Sequence, residues 1–142
     1  MQRITLLLLT LCSFTFLQAQ PPVKKNDKNI DGITKCVNYY LEGGTNNDFE
    51  MLEKAFHPNA TMKYISDGEY KEVNAVNFFK ERMKPGPKQN RSTSIQSIDV
   101  QGHAANAKLK IQYPDFYLID YMNLLKIDGE WKIVSKIFYR GE

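Results

Sequence analysis

Asp120 is the side chain best placed to do chemistry in this 142-residue sequence. It lies in the stretch Phe116 to Tyr139, which reads as two long strands joined by an Asp128-Gly129 turn. Asp-Gly between alternating apolar runs favours a two-residue type I′ hairpin with both central residues at positive φ. Ile127 then pairs with Glu130. Counting outward puts Lys126, Leu124, Met122, Asp120 and Leu118 on one face, opposite Trp131, Ile133, Ser135, Ile137 and Tyr139. The other face carries Ile119, Tyr121, Asn123, Leu125, Lys132, Val134, Lys136 and Phe138. A carboxyl among Leu118, Met122 and Ile137 loses hydration, which disfavours its charged form and is one way to make a site acid. Its structural alternative is an acid bonded to backbone or to Tyr139.

His57, just before Pro58, could serve as a general base or could cap the last carbonyls of a helix. His103, beside Gly102, reads as a loop residue, and Cys36, inside an apolar helical pattern, as a small buried hydrophobe. Tyr39, Tyr40, Tyr64, Tyr113, Tyr117, Tyr121 and Tyr139 could line a ligand cavity with their rings or simply fill a core. Trp131, opposite Lys126, reads as packing that pins the hairpin, with a possible cation-π contact. Two histidines and scattered acids give no metal-ligand spacing, so neither a metal nor another cofactor is expected. No phosphate-cradling glycine loop and no serine-nucleophile turn occurs.

The elements that must position these residues are legible from periodicity. Ile30, Ile33, Thr34, Val37, Tyr40 and Leu41 recur at helical spacing, with Asp27 or Asn29 to start the helix and Gly43-Gly44 to stop it. A short second helix runs through Phe49, Leu52 and Phe56, capped by Asn47 with Glu50 reaching back, and ends at Pro58. Ala60 to Ile65 and Glu69 to Glu72 form a hairpin about Asp67-Gly68. Val73, Val76, Phe79 and Met83 mark a third helix, closed by Pro85-Gly86-Pro87. From Ser92 the period becomes two, and Ser92 to Val100, Ala104 to Tyr113 and the final hairpin form a four-stranded meander. This is an α+β layout with the helices on one face of the sheet.

Arg3, the apolar run Ile4 to Leu17 and Ala19 read as a secretory signal peptide over residues 1–19, too short to span a bilayer at roughly 20 residues. Residues 20–28 form a Pro- and Lys-rich leader, and 29–142 a single domain. The expected product is exported, to the periplasm or beyond, and free of the membrane once the signal is removed. Cys36 would then be its one cysteine, so no intrachain disulfide is expected. The net charge of +3 is spread among interspersed acids and bases, which argues against a nucleic-acid partner.

The order of elements resembles the NTF2-like superfamily of ketosteroid isomerases, SnoaL-type polyketide cyclases and scytalone dehydratase. Phe56-His57-Pro58-Asn59-Ala60, Ile98-Asp99-Val100, Ile119-Asp120-Tyr121 and Leu125 to Val134 resemble, more narrowly, exported bacterial proteins of the putative lumazine-binding family. The resemblance implies an NTF2-like cone: a strongly curved, mostly antiparallel sheet with three helices from the N-terminal half packed on its concave face. Asp120 would match the isomerase acid that stays protonated and donates to an oxyanion. Lys63 and Tyr64 stand where that enzyme carries its base, and Asn59 stands where many cyclase-like relatives carry an acid.

Three functions follow from these residues. The first is binding of a small apolar or aromatic molecule, lumazine among the candidates, in a pocket lined by Tyr40, Phe56, Tyr64, Met122 and Asp120. The second is a cofactor-free isomerase, cyclase or dehydratase in which Asp120 donates to a carbonyl oxygen and His57 moves the proton. The third is a protein-interaction module through the face bearing Ile119, Tyr121, Val134, Lys136 and Phe138, with Tyr121, Lys136 and Phe138 forming the interface of a homodimer.

Overall fold

A computed structural model describes residues 28–142. The expected signal peptide and nearly all of the expected leader lie outside the described residues. Helix α1 spans Lys28–Asn46 and α2 Phe49–Glu53. They are followed by strands β1 (Phe56–Ser66) and β2 (Glu69–Asn74), helix α3 (Ala75–Arg82), and strands β3 (Ser92–Gln101), β4 (Ala104–Gln112), β5 (Tyr117–Ile127) and β6 (Glu130–Gly141). The strands form one six-stranded sheet in the order β2-β1-β6-β5-β4-β3. All neighbours are antiparallel except β1 and β6, the first and last strands, which pair in parallel. The expected α+β architecture and its curved sheet are present.

Several boundaries differ from expectation for local reasons. Helix α1 does not stop at Gly43-Gly44 but runs two residues further, to Asn46, and the left-handed residue that turns the chain is Asn47, with φ 55°. The two glycines serve close packing instead. A Cβ on Gly43 would lie 2.5 Å from the Leu52 backbone nitrogen, and one on Gly44 would lie 2.4 Å from the Arg91 guanidinium. Asp48, not Asn47, caps α2, accepting from the Met51 N–H at 2.9 Å. Helix α2 ends at Glu53, so His57 and Pro58 belong to β1, beside an irregularity in its pairing with β6. Asn74 caps α3, which leaves Val73 in β2.

The final hairpin is the element that sets the site. Asp128 and Gly129 have φ of 50° and 86°, as a type I′ turn requires, and the expected register holds from Ile127–Glu130 to Leu124–Ile133. Beyond that point Asn123 pairs with Ser135, so Val134 is a bulge residue and every later pair is displaced by one. Asp120 therefore lies opposite Phe138, and Met122 opposite Lys136. Lys136 and Phe138 turn to the concave face, while Ile137 and Tyr139 turn outward and are 47% and 60% exposed. The placement of Lys136 and Phe138 at an outward interface is thus corrected: Lys136 is buried, and Phe138 stacks on Tyr64 at 5.0 Å.

The core lies between the concave face and the helices. Ile33, Val37, Tyr40 and Leu41 of α1 meet Ala107, Leu109 and Ile111 of β4, Met122 and Leu124 of β5, and Ile133 of β6. Trp131 lies against α1 at Gly32, where a Cβ would approach its indole Cδ1 to 2.8 Å. Lys126, the expected cation-π partner of Trp131, instead donates to Asn29 Oδ1 at 3.1 Å.

Candidate functional site

Asp120 is completely buried inside the cone. Its sheet neighbours are Leu109 on β4 and Phe138 on β6, and Leu118 and Met122 flank it on the same face of β5. Two donors reach it. The Tyr40 hydroxyl of α1 donates to Oδ2 at 2.7 Å, and the Lys136 ammonium of β6 donates to Oδ1 in a buried ion pair. Tyr139, the partner considered from sequence, points away on the outer face. Lys136 is itself only 2% exposed, beside Met62 and Met122 in the adjoining strands.

Burial governs the electrostatics. Desolvation pulls the Lys136 ammonium below its ordinary 10.5 despite the attraction of Asp120. Tyr40 is pushed well above 10.0, first by burial and then by the adjacent Asp120 charge. Arg91 adds a positive field at both groups. Its guanidinium is held at the end of α1, with Nε on Thr45 Oγ1 at 2.9 Å, Nη2 on the Leu41 carbonyl at 3.0 Å and Nη1 on the Tyr113 hydroxyl at 2.8 Å. A cation on the last carbonyls of a helix is also favoured by the helix dipole.

Aromatic rings close the space over the triad. Tyr40, Phe56 and Phe79 lie 5.7 to 5.9 Å apart by ring centroid, and Phe78 continues the group to Tyr64 and Phe138. The Lys136 ammonium lies 4.5 Å from the Phe138 ring centroid and 5.5 Å from that of Tyr40, in cation-π range of both. A carbonyl or enolate oxygen reaching this point would meet the Lys136 ammonium, which keeps N–H groups beyond the one given to Asp120, whereas the single Tyr40 proton is already donated to Asp120. Asp120 accepts from both of these, so its role here is to hold donors, not to be one.

Of the residues singled out in the sequence, Tyr40, Phe56, Met122 and Asp120 come together in the interior, and Tyr64 joins through Phe138. His57 does not join them. Phe56 takes the inward place on β1, and His57 Nδ1 accepts from the Asn59 N–H at 3.1 Å. Cys36 is buried, its thiol donating to the Ala55 carbonyl at 3.3 Å and pushed up to about 11 by burial. Sequence reasoning gave Lys136 an outward interface role and did not single out Arg91. A lysine in the middle of an apolar strand was the available signal for the first, and the bulge hid which way it points.

Residues 28–139 match the model of the Putative lumazine-binding family. The chain belongs to that family. A solved NTF2-like protein of unknown function from Methylobacillus flagellatus KT is 30% identical with a TM-score of 0.73, covering 84% of this chain and 98% of its own. Another, from Shewanella baltica OS155, is 26% identical with a TM-score of 0.74, covering 81% and 95%. Among curated proteins, Aldolase FrzH from Cladobotryum sp is 24% identical over 111 residues, 77% of this chain and 89% of that protein. The NTF2-like fold is thus shared with proteins solved without a known function, and the sequence is similar to one named as an enzyme.

Proposed function

We propose that this protein binds a small aromatic or apolar molecule bearing a carbonyl oxygen inside the cone, with the Tyr40–Asp120–Lys136 triad as its polar floor. The observation that carries this reading is the buried ion pair itself. Desolvating two opposite charges costs several kcal/mol for each ion, and an apolar pair of similar volume is often about 1–4 kcal/mol more stable. A core that keeps such a pair among Leu109, Met62 and Met122 therefore has a use for it beyond stability. The ligand would enter by parting the half-buried rings of Phe78, Phe79 and Phe138, and its oxygen would take up a spare N–H of Lys136, which Asp120 holds in place. Membership of the lumazine-binding family supports a heteroaromatic carbonyl compound of that general kind.

A screen of aromatic ketones together with lumazine, read by melting temperature, tests the reading, since a bound ligand stabilises by mass action. Ligands that raise the melting temperature of the wild type and not of Lys136→Met support it. Equal shifts in both proteins would remove the triad from the site.

A second reading, a cofactor-free enzyme acting on a carbonyl compound, is favoured by the depressed Lys136 amine. A lysine that sheds its proton more easily than usual can accept one from an activated carbon, the C–H bond breaking as its electron pair moves onto the carbonyl oxygen. In this form Lys136 replaces His57 as the group that moves the proton. The aldolase relative is consistent with that chemistry. Export past the inner membrane, read from Arg3 to Ala19, and pairing of two copies through the outer sheet face belong to the same proposal.

A further inference from the structure

A different cavity lies between the first half of α1 and the β5–β6 turn, at the opposite end of α1 from the Arg91 network. It encloses about 330 Å³, within the roughly 300 to 1,000 Å³ usual for small-molecule sites. Five lysines line it, Lys28, Lys35, Lys54, Lys126 and Lys132, against the single carboxylate of Glu130. Glu130 already pairs with Lys132 at 3.2 Å. Among the described residues the other four lysines have no carboxylate within ion-pair distance. Asp31 and Glu42 line a neighbouring groove that shares Lys35 and Tyr39 with this cavity.

One wall holds an unsatisfied donor. Trp131 is 5% exposed, and its indole Nε1 is buried without an acceptor among the described residues. A buried N–H left unpaired costs about 1–3 kcal/mol, which an incoming acceptor oxygen would recover. Gly32 lets α1 lie close against this edge of the indole, since a Cβ there would stand 2.8 Å from Cδ1 and 3.4 Å from Nε1. The ring of Tyr39 also lines the cavity, and Lys35 lies 5.9 Å from its centroid. Flat walls, an orphan donor and a surplus of ammonium groups together select a planar ligand rich in acceptor oxygens.

We infer that this cavity is a second binding site, separate from the triad, for a small aromatic molecule carrying two or more negative charges, of the aryl phosphate kind. Lysines act as point charges that suit a phosphoryl group without fixing its rotation. The Trp131 N–H would add one directed bond, and the ring would lie along the indole and Tyr39.

Trp131 is the sole tryptophan in the sequence, so its emission reports on this site directly. The test titrates the purified full-length chain with phenyl phosphate, with phenol as the uncharged control. Saturable quenching is expected, weakened by added salt because ionic screening shortens the reach of the lysines. The double variant Lys35→Glu with Lys126→Glu should bind about tenfold more weakly or worse, since it reverses two charges at the cavity. Lys136→Met should bind like the wild type, which separates this inference from the triad reading. Absence of saturable quenching, equal affinity for phenol, or undiminished binding in the charge-reversed variant would overturn it.

Discussion

At the scale of single residues, Tyr40 and Lys136 carry opposite and readable pH signatures. Tyr40 keeps its proton in the folded chain at pH values where an unfolded tyrosine, near 10, has lost it. The stabilisation it supplies is therefore fully present below pH 10 and is lost as the pH climbs toward its raised folded value. Lys136 has the reverse sign. Its folded pKa lies below 10.5, so the unfolded state binds more protons in the window just under that value, and stability rises with pH there. Tyr40→Phe should consequently flatten the fall in stability above pH 10 relative to the wild type. It should also cost about 1–3 kcal/mol at neutral pH, because Asp120 loses a buried donor. Urea unfolding at a series of pH values checks both effects. Asp120 was legible as a buried acid because its strand alternates cleanly, whereas the Lys136 partner was not, since a lysine beside a bulge can face either way.

At the scale of elements, the sequence announced the final hairpin through Asp128-Gly129, and the structure keeps the first four residues of its register. One extra residue at Val134 then exchanges the faces of everything after it, because the side-chain period of a strand is two. Nothing in Ile133-Val134-Ser135 marks a bulge chemically. Its cause is tertiary: β6 must follow the curved sheet while pairing with β1 on its other side. The end of α1 shows the same limit. Gly43-Gly44 looks like a stop signal, but the helix runs through it to Asn46, and at Gly43 the backbone of Leu52 leaves no room for a side chain. Gly43→Ala would press a Cβ onto the backbone of Leu52, which cannot yield as a flexible side chain can, and overpacking of this kind costs about 1–3 kcal/mol. The midpoint of urea unfolding should fall accordingly, while unchanged stability would mean that α1 and α2 can separate at little cost.

At the scale of the whole molecule, helices, meander and fold class were readable from periodicity, and the resemblance in Phe56 to Ala60 and Leu125 to Val134 led to the right family. The outer sheet face was only half readable. Tyr121 stays exposed as expected, but its cross-strand neighbour is Ile137, and Lys108 lies over its ring at 5.5 Å. Tyr121, Ile137 and Tyr139 are exposed on this face, and with Lys108 over Tyr121 and Lys110 over Tyr117 it is still a mixed charged and aromatic surface, built from other residues than expected. If two copies pair there, Ile137→Lys should convert a sedimenting dimer to monomer without changing the melting of the fold. An unchanged sedimentation coefficient would exclude that face as the contact.

The central claim is that the interior ion pair is kept for ligand recognition and not for stability. Replacing Asp120 alone by Asn would strand a buried ammonium and should cost about 3–5 kcal/mol, which by itself fits either purpose. The deciding measurement is equilibrium urea unfolding, at neutral pH, of a triple variant carrying Tyr40→Phe, Asp120→Leu and Lys136→Met. The triad reading predicts a cooperative fold at least as stable as the wild type. A triple variant several kcal/mol less stable would contradict it, and would make the pair a structural element of the cone.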